Sequence, residues 1–123
     1  MHGFVFLVLG VSGCGREAIV GSSDCNDRAP GDLVITEVHA NPAGSDGEGE
    51  YIEIFNASGA PLELEGLTLT VSRSDGGGAK SHRFASALIG TGAYFVAGNA
   101  PVDSMPAHVD YSYGSGLGSL RNS

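Results

Sequence analysis

Apolar residues fall along this chain in short runs separated by turn-forming stretches, and the period inside each run indicates the element it forms. Phe4 to Val11, FVFLVLGV, is apolar throughout. It is far shorter than the roughly 20 residues that cross a bilayer and has the length of the apolar part of an export signal, the alternative being a buried N-terminal strand with an incidental cysteine after it. From Asp32 onward, β-branched runs cut by turn signals predict a sandwich or barrel. Leu33-Val34-Ile35-Thr36-Glu37-Val38-His39 is the first such strand, ended by Asn41-Pro42. Glu50-Tyr51-Ile52-Glu53-Ile54-Phe55 is the second. Tyr51, Glu53 and Phe55 share one face while Ile52 and Ile54 share the other and point inward, the period of two that a strand requires. Asn56 to Pro61 is a turn cluster, Leu62-Glu63-Leu64 a short strand, and Gly66 a break. Leu67-Thr68-Leu69-Thr70-Val71 buries its odd positions and shows threonines on the other side. A glycine loop from Asp75 to Gly78 leads to a strand around His82 to Phe84. Gly90-Thr91-Gly92 introduces Tyr94 to Ala97, and Val109 to Tyr113 is the last strand.

The first apolar run takes its meaning from the residues at its C-terminal end. Val11-Ser12-Gly13-Cys14 resembles the bacterial lipobox: a branched residue, two small ones, then a cysteine that is acylated and becomes the new N-terminus. Small residues suit the narrow cleft in which a signal peptidase holds extended backbone. Met1-His2-Gly3 carries no Lys or Arg, although export signals usually open with positive charge, so a start upstream of Met1 is one expectation. The chain thus divides into a signal peptide at 1–13, a lipidated Cys14 with a flexible polar tether at 14–31, and one β domain at 32–123. Gly15 rather than an acidic residue follows the cysteine, which by the same resemblance implies the outer membrane in a Gram-negative cell. With Cys14 acylated, Cys25 has no partner in the chain, and the domain is no disulfide scaffold. Cys25 is then an unused thiol or an intermolecular link; without acylation a Cys14–Cys25 bridge is open.

Charge narrows the partners. Six Lys and Arg against fourteen Asp and Glu give a net charge of −8 in 123 residues. Nucleic acid is not expected, because its binding draws affinity from basic side chains that neutralise phosphates. Between Ala29 and Ser72 there are eight acidic residues and no Lys or Arg, a one-signed surface suited to a basic partner, a cation layer or solubility. Twenty Gly and five Pro exceed average usage and argue against long helices.

Four motifs in order carry a family resemblance. Leu33-Val34-Ile35-Thr36-Glu37-Val38-His39-Ala40-Asn41-Pro42, then Gly49-Glu50-Tyr51-Ile52-Glu53-Ile54-Phe55-Asn56, then Leu64-Glu65-Gly66-Leu67-Thr68-Leu69, then Gly92-Ala93-Tyr94-Phe95-Val96-Ala97 resemble the lamin-tail domain. In that family I-x-E-V-x-x-N-P is followed by E-Y-I-E-I-Y-N, L-x-G-W-x-L and a G-x-Y-x-V-x-A strand. Phe55 stands where the family often has Tyr and Leu67 where it often has Trp, and the last motif is one residue shorter between Val96 and Ala97. The resemblance implies an all-β, immunoglobulin-like β-sandwich from Asp32 to the end. It also implies that Gly116 to Ser123, similar to the family's L-x-N-x-G-D stretch, precedes a further hairpin. The expectation is therefore a domain incomplete at its C-terminus, with an uncovered sheet edge that favours self-association, through that edge or through Cys25.

Three sets of side chains invite chemistry. Asp46, Glu48 and Glu50 alternate in a glycine-bearing loop, the oxygen-rich setting a hard cation such as calcium takes. They lack EF-hand spacing and read equally as a solvated acidic hairpin. Arg73, Lys80 and Arg83 gather half of the basic residues around the glycine loop, either as ordinary loop solvation or as a contact for an anion or glycan. His39, His82 and His108 show no ligand spacing, so no metal site is expected. No G-x-S-x-G elbow or nucleophile with a nearby base is visible, so no catalytic residue is assigned. The favoured reading is a lipid-anchored, non-catalytic binding or spacer module at the bacterial cell envelope, meeting an envelope protein or a glycan. The competing one is a fragment or accessory domain of an exported hydrolase or nuclease. Coding sequence beyond Ser123 would separate them.

Overall fold

The alternation around Ile52 and Ile54 decides the architecture. Ile52, Ile54 and Asn56 are wholly buried, while Tyr51, Glu53 and Phe55 between them are only half-buried. The strand therefore keeps one face on a core and turns the other to solvent. The computed structural model describes residues 5–11, 28–40 and 49–120, the first of these as a strand and its pairing alone. The strands are β1 (Val5–Val11), β2 (Leu33–His39), β3 (Tyr51–Asn56), β4 (Leu62–Glu63) and β5 (Leu67–Arg73). They continue with β6 (Lys80–Arg83), β7 (Leu88–Ile89), β8 (Tyr94–Gly98) and β9 (Tyr111–Ser112), and a 3-10 turn at Val102–Ser104 precedes β9.

One sheet runs β2-β3-β8-β9, a second β1-β5-β6, and β4 pairs with β7 in a small ribbon. Only β8–β9 is parallel among these pairings. This is the all-β, immunoglobulin-like sandwich expected from the sequence. Its core gathers Ile52 and Ile54 from β3, Leu67 and Leu69 from β5, and Phe95 and Ala97 from β8. The odd positions of β5 are buried and its threonines are not, as their alternation predicts. Phe84, Leu64, Ile89, Leu117 and Leu120 belong to the same cluster. Each fully buried side chain of this size contributes about 1.5–3 kcal/mol by leaving water.

Local chemistry explains where elements stop. Gly66 adopts a φ of +85° between β4 and β5, a left-handed turn conformation that a β-carbon disfavours. Leu64 belongs to that turn rather than to β4, because its carbonyl accepts the Leu67 N–H and its own N–H donates to Ala87 O. The last strand, Tyr111–Ser112, is shorter than the Val109 to Tyr113 expected from the sequence. The Asp110 carboxylate accepts the Val96 N–H at 2.9 Å, so a side chain replaces one rung of the ladder.

Val5–Val11, expected from its apolar character to belong to a leader, forms β1. It pairs with β5 through seven residue pairs, from Val5 opposite Arg73 to Val11 opposite Leu67. A chain cut ahead of Cys14 loses this neighbour. The β5 backbone groups on that side then need water or another strand.

Asn56 holds the end of β3 to two other parts of the chain. Its amide nitrogen donates to Ala60 O at 2.7 Å, Ile89 O at 3.0 Å and Gly90 O at 3.1 Å. Its side-chain oxygen accepts the Ser58 N–H at 3.0 Å and the Ser58 hydroxyl at 2.8 Å. Asn56→Ala strips buried carbonyls of their donor and should cost about 2–4 kcal/mol in chemical denaturation, the penalty of orphaned buried polar groups. Asn56→Asp should cost more at pH 7 despite equal size, because a carboxylate presents no donor to three carbonyl oxygens. A loss below about 0.5 kcal/mol for either variant would contradict this.

Candidate interaction face

The outer face of the β2-β3-β8 sheet owes its pattern to one irregularity. Ile35 pairs with Ile54 and Glu37 with Glu53, so Thr36 between them is an extra residue, a β-bulge. By strict alternation from Val34, Glu37 and His39 would point inward and Val38 outward. The bulge reverses that phase, since a one-residue shift moves every later side chain to the other face. Val38 now stands opposite the buried Ile52, though on this edge strand it stays 39% exposed, and His39 stands opposite Tyr51.

Three cross-strand rows result. Val34 is opposite Phe55, which is opposite Tyr94; the Phe55 and Tyr94 rings lie 4.8 Å apart. Val34 is 41% and Tyr94 60% exposed. In the second row Glu37 faces Glu53, which faces Val96. In the third, His39 stacks on Tyr51 at 4.9 Å with the planes 16° apart, and His108 meets the same ring edge-on at 5.4 Å. His108 reaches it because the 106–110 segment closes over Gly98, where a β-carbon would sit 3.2 Å from Val109 Cγ1.

Glu37 and Glu53 are directly opposed like charges, an arrangement that destabilises a sheet. Each is held by a hydroxyl: Tyr51 donates to Glu37 Oε1 at 3.0 Å, and Thr36 donates to Glu53 Oε1 at 2.8 Å. The bond to Glu37 also pushes the Tyr51 phenol up, with burial and the two nearby carboxylates adding to it. Among the described residues no Lys or Arg meets either carboxylate.

Glu50, Arg73, Lys80 and Arg83, also singled out in the sequence, lie apart from this face. Glu50 is 1% exposed and its Oε2 accepts the Leu120 N–H at 2.8 Å; Asp46 and Glu48 lie outside the described residues, as do Cys14 and Cys25. Arg73 pairs with Asp75 at 3.5 Å on the surface. There the Gly77 N–H, and then Arg73, hold the Asp75 carboxyl below its ordinary value. The Lys80 side chain lies against Gly118, while the Arg83 guanidinium approaches Gly66. The three cations thus address separate turns. Among the described residues no three His, Cys, Asp or Glu side chains converge where a metal could sit.

His82 serves a different purpose from His39 and His108. Its Nε2 lies 2.8 Å from the Tyr111 hydroxyl, which also accepts the Ala85 N–H at 3.0 Å. This joins β6 of one sheet to β9 of the other. Burial pushes His82 below its ordinary value, favouring the neutral ring that can accept the hydroxyl proton. Tyr113 beside it is 4% exposed, and burial, then Glu50, push its phenol well up. No spacing in the sequence could have joined residues 29 apart into this clasp.

Those shifts fix a pH dependence. Unfolded, His82 takes up a proton near pH 6.5, and folded only at lower pH. Its contribution is intact above about pH 7 and is lost as pH falls through the unfolded value. Tyr113 acts at the other end, its neutral form favoured in the fold, so stability falls as pH rises past about 10. The wild-type midpoint in urea should drop between pH 7.5 and 5, and His82→Gln should flatten that drop. Superimposable profiles would remove His82 from the account.

The family model of the lamin tail domain matches residues 26–120. No curated protein and no solved structure matched the chain.

Proposed function

Since the chain belongs to the lamin tail domain family, whose domain is an immunoglobulin-like, non-catalytic module, we propose that it is a lipid-anchored binding module of the bacterial cell envelope. The domain suits a binding or structural role. The observation that carries a binding role is the outer sheet face, where rings and carboxylates are fixed in register on a packed core. Fixed side chains lose little entropy when a partner arrives.

The anchor is proposed from the junction Val11-Ser12-Gly13-Cys14. Acylation of Cys14 with two chains, at about 0.8 kcal/mol per buried methylene, gives stable attachment where a single chain does not. It also removes Val5–Val11, so processing and the β1–β5 pairing exclude each other in the mature protein. Sheet closure through β1 therefore belongs to the unprocessed chain, and the matched region begins at residue 26, beyond the cut.

Intact mass measurement of the protein purified from bacterial membranes tests this reading. The expected product starts at Cys14 and carries a diacylglyceryl group, and Cys14→Ser moves the protein out of the membrane fraction. A membrane-derived protein that keeps Met1 and bears no lipid would contradict it.

A further inference from the structure

We propose that the outer face of β2-β3-β8 receives an extended, cationic segment of a partner polypeptide, with arginine or lysine seated on the Glu37–Glu53 pair. This deepens the binding-module reading and depends on it. Charge and spacing select the occupant. Opposed residues on one sheet face have β-carbons about 4.5–5.5 Å apart, so Glu37 and Glu53 repel in the free protein. A cation placed between them relieves that repulsion. A guanidinium fits best, since its planar fork can bond two carboxylates while its face lies on a ring. A neutral sugar brings hydroxyls that bond carboxylates but leaves the like charges uncompensated, which favours the polypeptide.

The neighbouring rows supply the rest of the site. The exposed Val34 and Tyr94 flank the half-buried Phe55 in an apolar and aromatic row beside the carboxylates, and Tyr51 with its two histidine rings forms another beyond them. Rows two residues apart on a strand are about 7 Å apart. A ligand in extended conformation places side chains i and i+2 at that same spacing, one on the carboxylates and the next on Phe55 and Tyr94. Aromatic rings beside acidic groups also attract cations through their π faces. The segment that carries both glutamates, Ala29 to Ser72, holds eight acidic residues and no Lys or Arg, and this net negative charge speeds the encounter with a basic partner.

The test uses the full chain and a fluorescent, end-blocked peptide alternating arginine with valine, read by anisotropy. Expected is saturable binding that weakens as salt rises, with Glu37→Gln/Glu53→Gln weakening it at least tenfold and Tyr94→Ser severalfold. The double glutamine variant should melt at the same or a higher temperature than wild type, because the opposed charges are gone; lost affinity with retained stability marks a ligand site rather than a fold defect. Three outcomes would overturn the proposal. They are equal affinity for a peptide with glutamate in place of arginine, no change in the double variant, or binding of a neutral N-acetylglucosamine oligomer at these residues without peptide binding. Cys14→Ser protein should bind the peptide as wild type does. An anchored protein that ignores the peptide thus defeats this proposal alone, and a soluble one that binds it defeats the anchor alone.

Discussion

The fold turns on the carboxamide of Asn56. It is wholly buried at the end of the central strand, and it supplies donors to carbonyls on two other segments while its oxygen organises the Ser58 turn. Buried polar groups are costly unless every valence is used, and when they are used they specify one arrangement rather than many. Only a side chain with both a donor and an acceptor can do this. The N–H of Asn56 donates to Ala93 O and its carbonyl accepts the Gly92 N–H, so the same residue fixes where β8 starts. With the end of β3 and the start of β8 placed, the register of Phe55 opposite Tyr94 is set.

The bulge at Thr36 converts that scaffold into a surface. A regular β2 would have turned Glu37 and His39 inward; the extra residue sends them out, and its own hydroxyl takes hold of Glu53. A pairing rule is broken on this surface, where two carboxylates oppose each other. Sequences that otherwise satisfy pairing and packing rules tend to break them at sites of function. The opposite edge of the sandwich is closed by the His82–Tyr111 contact, which braces the sheet behind the outer face.

Much of the architecture was legible because it is periodic. The inward face of Ile52 and Ile54, the buried odd positions of β5 and the turn at Gly66 can be read from residue type and spacing alone, and the ordered motifs carried the family. Features set by distant partners were not legible. Glu50 sits in a Gly-Glu-Gly-Glu pattern that reads as a solvated loop, yet it is buried against a backbone N–H 70 residues away. No glycine or proline in β2 announces the bulge, which falls at the polar pair Thr36-Glu37. His39 and His108 looked scattered because the ring that joins them, Tyr51, belongs to a third segment. Val5–Val11 shows a different limit: a short apolar run satisfies a leader and a strand equally, and periodicity has no means to choose.

The account depends most directly on the phase of β2 after the bulge, and solution NMR of the full chain reads that phase. Nuclear Overhauser contacts should link the Tyr51 ring to the rings of both His39 and His108, and the side chains of Glu37 and Glu53 to each other. Contacts from Tyr51 to Val38 in place of His39, with Thr36 rather than Glu37 opposite Glu53, would show a slipped strand and contradict the account.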